Sequence, residues 1–170
     1  MKYLFILLFV VAFKPSFAQT PYTSVDDNGT IILNGLITKY IFLNSESFPW
    51  YQNSIKNFKT DSLVINSFSE AKSSINLIVF GGTWCEDTQN IIPKFFTIQE
   101  KSGFPDNRIT FFAADRNKHV NGNISEALGV TNVPTIIVMQ NGKELGRVVE
   151  YGKTGNWDKE LAEIINTRIK

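Results

Sequence analysis

The chain has 170 residues, of which 43% are hydrophobic, and its 17 basic and 16 acidic side chains give a formal net charge of +1. This length suffices for one domain with a sizeable core. The balanced charge, without a basic patch, argues against nucleic acid and anionic membranes as partners. The single cysteine, Cys85, excludes a disulfide within the chain.

Residues 1–18 have the features of a secretory signal peptide. Lys2 precedes an apolar run over residues 4–13, and Ser16 and Ala18 supply the small residues of a cleavage site. The run is shorter than the ~20 apolar residues of a membrane-spanning helix. We therefore expect cleavage after Ala18, a periplasmic or secreted location, and contact with a membrane only during export.

Residues 19–60 are expected to form an N-terminal extension, with helices, that packs on the main domain. Residues 19–30 are polar and predict a leader that ends in a turn at Asn28-Gly29. Residues 31–42 indicate an irregular strand region. A helix is expected to begin near Pro49, because the missing N–H of proline costs nothing in a first turn.

Residues 61–170 are expected to form the main domain. Asp61 predicts the cap of its first helix. The inward face predicted for this helix comprises Leu63, Val64, Ser67, Phe68 and Ala71. A nearly continuous apolar run over residues 75–80 then predicts a central strand that is covered on both faces.

A helix is predicted from Cys85 to about Gly103, followed by a buried strand over residues 108–114 and a short helix over residues 125–128. Asn141-Gly142 predicts a hairpin, and the last helix is predicted to be amphipathic. Its inward face would comprise Trp157, Leu161, Ile164, Ile165 and Ile169. Helices thus alternate with strands before a final hairpin, which predicts a mixed sheet between two helical layers.

Cys85 lies where the central strand gives way to the following helix, in the segment 83–88 (TWCEDT). A thiol attacks only as the thiolate, and the unpaired N–H groups and dipole of a helix N-terminus favour that anion. Glu86 and Asp87 oppose it with negative charge nearby. The setting therefore predicts a nucleophilic cysteine.

The Trp84-Cys85-x-x-Thr88 motif and the Val133-Pro134-Thr135 segment, in this order of elements, resemble the thioredoxin family over about residues 61–170. Pro93, eight residues after the cysteine, and the hairpin at residues 141–143 also match. The resemblance implies a bacterial secreted or periplasmic protein with a thioredoxin-like three-layer α/β/α sandwich and a central mixed sheet. It also implies thiol–disulfide exchange that needs neither a cofactor nor a metal.

The resemblance assigns roles to four residues. Cys85 is the nucleophile, and Val133 and a cis Pro134 bind an extended stretch of a thiol- or disulfide-containing protein substrate. Trp84 offers an apolar face to that substrate, or is simply part of the core.

Two positions depart from the family's pattern. Thr88 stands where a dithiol enzyme has its resolving cysteine. Its hydroxyl is able to donate to the Cys85 thiolate, or it is a helix residue without a redox role. Val79 replaces a buried aspartate that assists proton transfer in the family, and Asp87 is the candidate substitute.

Three functions remain open at this site. A monothiol oxidoreductase or isomerase would form a mixed disulfide that a substrate thiol or an external thiol reductant resolves. Alternatively, a redox-inactive thioredoxin-fold module would bind a peptide or a partner protein. A redox-sensing or peroxide-reducing role for Cys85 is the third hypothesis. His119, the only histidine, is expected at the surface. Without another histidine or cysteine, no zinc or copper site of conventional spacing is predicted.

Overall fold

The computed structural model describes residues 21–168. The predicted signal peptide, with its cleavage site at Ala18, lies outside the described residues, as does Ile169, which the sequence predicts on the inner face of the last helix. Within the described part of the chain, no helix has both the length and the apolar character needed to cross a bilayer.

The strands of residues 21–168 form one six-stranded sheet in the order β1-β2-β4-β3-β5-β6. They are β1 (Tyr22–Asp27), β2 (Thr30–Ile37), β3 (Asn76–Gly81), β4 (Ile109–Ala113), β5 (Thr135–Gln140) and β6 (Lys143–Val149). β3 and β4 run parallel, and the other neighbouring strands are antiparallel. The predicted central strand is thus β3, between β4 and β5.

The helices are α1 (Tyr40–Leu43), α2 (Trp50–Ile55), α3 (Ser62–Ala71), α4 (Glu86–Ser102), α5 (Ile124–Ala127) and α6 (Trp157–Asn166), with a 3₁₀ turn at Asp106–Arg108. The larger core lies between α2, α3, α4 and α6 and one face of the sheet, where Leu77 and Val79 of β3 are buried. Phe80 faces a second, smaller core on the opposite side, which α5 and its flanking segments cover. Successive residues of β3 thus enter two cores, and the fold is the predicted α/β/α sandwich.

The start of α3 agrees with the sequence prediction, and its inward face agrees in part. The Asp61 carboxylate accepts a hydrogen bond from the Leu63 N–H at 2.8 Å and so caps the helix. Four of the five predicted inward residues are buried: Val64, Ser67, Phe68 and Ala71. The prediction for Leu63 is wrong, because its side chain is 73% exposed. The buried four follow the spacing of a single helical stripe, and Leu63 lies just outside it.

The N-terminal segment differs most from the prediction. Residues 22–27, predicted as a polar leader, form β1, and a hairpin at the predicted Asn28-Gly29 turn pairs it with β2. The two turn residues have φ angles of 54° and 86°, and this tight turn requires positive φ at both positions. β1 is a largely exposed edge strand, so it lacks the apolar alternation by which strands are recognised. The extension therefore adds strands as well as helices to the fold.

Helix α4 follows the prediction closely. It is preceded by Cys85 at its N-cap, and it ends at Gly103, whose φ of 67° is the left-handed conformation that terminates many helices. The predicted apolar residues are all buried: Ile91, Ile92, Phe95, Phe96 and Ile98. This burial anchors α4 to the sheet and fixes where its N-terminus meets the end of β3.

Candidate functional site

A tight turn carries the chain from β3 into α4 and places Cys85 at the helix N-terminus. The Cys85 N–H donates to the Gly82 carbonyl at 2.9 Å, and the Cys85 carbonyl accepts the N–H of Gln89 at 3.0 Å. No side chain caps the helix at Cys85. The N–H groups of the first turn of α4 are thus oriented toward the region of the thiol, where they favour an anion.

The loop before β5 lies against the thiol. Cys85 is a free, half-buried cysteine, and its Sγ donates to the carbonyl oxygen of Val133 at 3.2 Å. The Val133–Pro134 peptide bond is cis, and both residues are buried. In the hydrogen-bond network of residues 21–168, the Val133 N–H has no acceptor. The structure thus brings together Cys85 and the two loop residues that the sequence analysis singled out.

The Thr88 side chain lies beneath the turn that precedes α4. It is 1% exposed, and its Oγ1 accepts the Gly82 N–H at 3.1 Å. A Cβ built on Gly81 would lie 2.9 Å from the Thr88 Cγ2, so the threonine packs directly on the end of β3. Among the described residues, no hydrogen bond joins Thr88 to Cys85. The contact that the structure shows for the Thr88 hydroxyl is therefore one that holds the turn.

Trp84 is partly packed in the core and partly exposed. The indole Nε1 donates to the Ala114 carbonyl at 3.0 Å, and the ring packs against the smaller core beside Cys85. The Trp84 side chain nevertheless remains half-buried, and the guanidinium of Arg116 lies 5.7 Å from the ring centroid. Asp27, at the end of β1, pairs with Arg116 at 2.8 Å. The N-terminal hairpin thus reaches the tryptophan beside the thiol.

The structure places Asp87 within the first turn of α4, half-exposed and without a hydrogen-bond or ion-pair partner in residues 21–168. Val79 is fully buried in the larger core. The described chain therefore has an apolar side chain where the resemblance implies a buried aspartate. Asp87 remains the acidic candidate near the thiol.

Thr83 belongs to the site but was missed from the sequence. Its side chain is 3% exposed. Its Oγ1 donates to the Ile31 carbonyl at 2.7 Å and accepts the Leu33 N–H at 3.2 Å, both in β2. The side-chain Nε2 of Gln89 donates to the Thr83 carbonyl at 2.8 Å. Because the β2 partners lie about fifty residues away along the chain, no local pattern indicates this role.

His119 lies at the surface as expected. Its side chain is 65% exposed, and its Nδ1 is 3.2 Å from Glu126. In the part of the chain that the structure describes, no three histidine, cysteine or acidic side chains are grouped so as to hold a metal ion.

The thioredoxin family's sequence model matches residues 40–157, more than half of the chain. The chain belongs to the thioredoxin family. The match begins inside the predicted extension and ends at the first residue of α6. Thioredoxin of Staphylococcus saprophyticus is 28% identical over 110 residues, which cover 65% of this chain and 94% of that protein. Membership places this thioredoxin-family protein generally among the thiol–disulfide oxidoreductases.

Two solved structures support the fold. An HIV epitope scaffold has a TM-score of 0.53 at 15% identity, over 76% of this chain and 92% of its own. A protein of unknown function from Pseudomonas aeruginosa has a TM-score of 0.50 at 16% identity, over 71% of this chain and 82% of its own. At such low identity these similarities concern the fold of the thioredoxin-family protein and not its chemistry.

Proposed function

We propose that this protein is a periplasmic or secreted thiol–disulfide oxidoreductase or isomerase that acts through Cys85 alone. One observation carries the proposal: a half-buried thiol at the N-terminus of α4 contacts the Val133 carbonyl at 3.2 Å, next to a backbone N–H without a partner in the described chain. A structural cysteine would be buried and inert. This thiol instead remains accessible beside groups that are able to bind a peptide.

In the first step, the Cys85 thiolate attacks one sulfur of a substrate disulfide. A new disulfide bond joins Cys85 to the substrate, the original bond breaks, and the second substrate sulfur leaves as a thiolate. Cys85 lies at the N-terminus of α4, the end of a helix that favours negative charge. We propose Asp87 as the acceptor of the thiol proton, since it is half-exposed and otherwise unpaired in the described chain.

Release requires a second thiol from outside the site. The hydroxyl of Thr88 forms no disulfide, so it does not displace the substrate from Cys85. When a substrate thiolate attacks the substrate sulfur of the mixed disulfide, Cys85 leaves as thiolate and the substrate has exchanged one disulfide for another. When an external thiol reductant supplies the attacking thiolate instead, the substrate is reduced after a further exchange.

The loop at Val133 and Pro134 is the proposed docking strip for the substrate. An extended peptide is able to accept the Val133 N–H, in the manner of a strand added to a sheet edge. Trp84, whose half-buried side chain packs against the same small core as Cys85, would contribute apolar surface. These contacts are with backbone and apolar groups, so they suit unfolded or partly folded protein substrates with varied sequences.

The decisive experiment mixes the protein with a substrate that carries scrambled disulfides and follows covalent complexes by non-reducing electrophoresis. Wild type is expected to form a complex that a reductant dissolves, whereas Cys85→Ser forms none. Recovery of native disulfides should then depend on a free substrate thiol or an added small thiol. If wild type and Cys85→Ser bind the substrate equally and neither is trapped, the redox proposal fails and the binding module is supported.

The proposed location has its own test. Export of the full chain from a bacterial host should yield a mature protein whose first residue is Gln19, as intact mass measures. Retention of residues 1–18 on exported protein, or failure of export, would contradict the predicted cleavage after Ala18.

A further inference from the structure

Strand β2 extends beyond β4, the strand that pairs with it on its inner edge, which faces the centre of the sheet. β4 pairs with β2 only from Gly35 to Ile37, and its last residue, Ala113, lies opposite Gly35. The earlier part of β2 still pairs with β1 on the outer edge. On the inner edge, the Ile31 carbonyl and the Leu33 N–H therefore need partners other than a strand, since buried backbone groups are rarely left unpaired.

The side chain of Thr83 supplies both partners. One hydroxyl donates to the Ile31 carbonyl at 2.7 Å and accepts from the Leu33 N–H at 3.2 Å. Thr83 is the second residue of the turn that the Cys85 N–H closes onto Gly82 at 2.9 Å. The hairpin therefore holds the turn that determines where the thiol lies.

Two further hairpin residues, Asn34 and Asp27, contact the loop that follows β4. Asn34 of β2 donates to the His119 carbonyl at 3.0 Å and accepts the Asn121 N–H at 2.8 Å. Asp27 of β1 holds Arg116 over the Trp84 ring. The hairpin thus contacts the turn and the loop after β4 directly, and it reaches Trp84 only through Arg116.

We propose that the β1–β2 hairpin positions the reactive site. Thr83, bound to β2, is a positioning residue for Cys85, and Asp27 of β1 is a positioning residue for Trp84. Thr83 sets the turn from the inner edge of β2, and Asp27 sets the Trp84 ring through Arg116. The effect of the hairpin on exchange with protein substrates rests on the proposed function. Its effect on the reactivity of the Cys85 thiol does not.

The test measures the second-order rate constant of Cys85 with a neutral aromatic disulfide, alongside the indole N–H signal of Trp84 in ¹⁵N NMR. Thr83→Val removes the hydroxyl at nearly constant shape, and it should slow Cys85 about 10-fold and shift the indole signal, since small misplacements of a reacting group are costly. Thr83→Ser restores the hydroxyl and should stay within about 2-fold of wild type. Thr97→Val, which removes a hydroxyl bonded to the Pro93 carbonyl within α4, is the matched control and should change neither readout.

Thermal unfolding distinguishes positioning from stability. A Thr83→Val protein that melts earlier but keeps the wild-type rate and indole signal while folded would overturn the proposal. If Thr83→Val fails to fold, Asp27→Asn at the exposed end of β1 becomes the test of the proposal. That variant is expected to shift the Trp84 signal, because Asp27 pairs with the Arg116 that lies near the ring, and an unchanged signal would overturn the proposal. A slower Thr83→Val in a protein that traps no protein substrate would leave the positioning role standing and remove only the proposed function.

Discussion

The hydroxyl of Thr88 accepts the N–H of Gly82 at 3.1 Å, so a single side chain joins the two flanks of the turn that presents Cys85. The family resemblance places Thr88 at the resolving position of a dithiol site, and here its side chain supports the turn. The turn that presents Cys85 is thus held by a side chain that forms no disulfide.

Thr88→Cys restores the dithiol spacing and is expected to convert the protein into a reductase. Residues three apart at a helix start bring their Cα atoms within reach of a disulfide, so the introduced thiol would displace the substrate from Cys85. Insulin reduction should become measurable, and the trapped mixed disulfide should fall about 10-fold as intramolecular attack outruns external thiols. Thr88→Ser keeps the hydroxyl and should show neither change. A folded Thr88→Cys variant without reductase activity would indicate that the site no longer supports exchange.

Gly82→Ala is expected to displace Trp84. A Cβ at this position would lie 2.7 Å from the Nε1 and Cε2 atoms of the indole. The ring must move away from the Ala114 carbonyl, and overpacking of this kind typically costs about 1–3 kcal/mol. Urea unfolding measures this cost, and the Trp84 indole signal should shift with it.

Gly146→Ala provides the matched control for that substitution. Its Cβ would lie 3.1 Å from the Ile164 Cγ2, so it meets a side chain of α6 rather than the tryptophan beside the thiol. It should lower stability by less than about 1 kcal/mol and leave the Trp84 signal and the Cys85 rate unchanged. Equal shifts of the Trp84 signal in both variants would show that general loosening, rather than the contact with the indole, moves the ring.

Lys39→Met should destabilise the protein through the charged contact between α1 and the end of α4. The Lys39 side chain is 6% exposed, and its Nζ lies 2.9 Å from Glu100 and 3.2 Å from Asp106. Loss of a buried partner typically costs about 3–5 kcal/mol. Here the two carboxylates are 57% and 46% exposed and rehydrate, so we expect about 1–2 kcal/mol by urea unfolding.

The control for the lysine is Lys159→Met. Lys159 is 59% exposed and lies 3.8 Å from Asp61, so its loss should change stability by less than about 1 kcal/mol. If both methionine variants unfold at the wild-type urea midpoint, the Lys39 contacts do not contribute to stability.

Stability should fall in acid partly through Asp106. Burial opposes the charge of this carboxylate, but hydrogen bonds from Tyr40 and Lys39 outweigh it and lower the pKa of Asp106 below the ordinary 3.8. The unfolded chain then binds a proton more readily than the folded protein does. The stabilisation is therefore complete above the unfolded pKa and is lost as the pH falls through the lower folded value.

Urea midpoints between pH 5 and pH 2.5 measure this component. Asp106→Asn should be less stable than wild type at pH 5, and the difference should shrink below about pH 4. Tyr40→Phe removes the hydroxyl that donates to Asp106 at 2.7 Å, and it should reduce the same difference without abolishing it. A constant gap between wild type and Asp106→Asn at every pH would contradict the role of ionised Asp106.

The elements with strong local signals were predictable. Helix α4 and the hairpin at Asn141-Gly142 appear where their patterns predict them, because apolar periodicity and turn residues act over a few positions. β1 and the exposed Leu63 were not predictable in the same way, since an exposed edge strand has no apolar pattern and the orientation of a helix depends on its neighbours.

For this protein, the sequence by itself determined the family, the nucleophile candidate and the absence of a second thiol, because these depend on which residues are present and how they are spaced. Only the tertiary structure decided that Thr88 faces Gly82 and that Thr83 is held by β2. Thr83 and its β2 partner lie 52 residues apart, whereas Thr88 and Gly82 lie six residues apart in one turn. In both cases the partner is a backbone group that remains to be satisfied once the sheet has formed. The residues beside Cys85 in the sequence thus indicate its candidate chemistry, whereas its position also depends on contacts with distant strands.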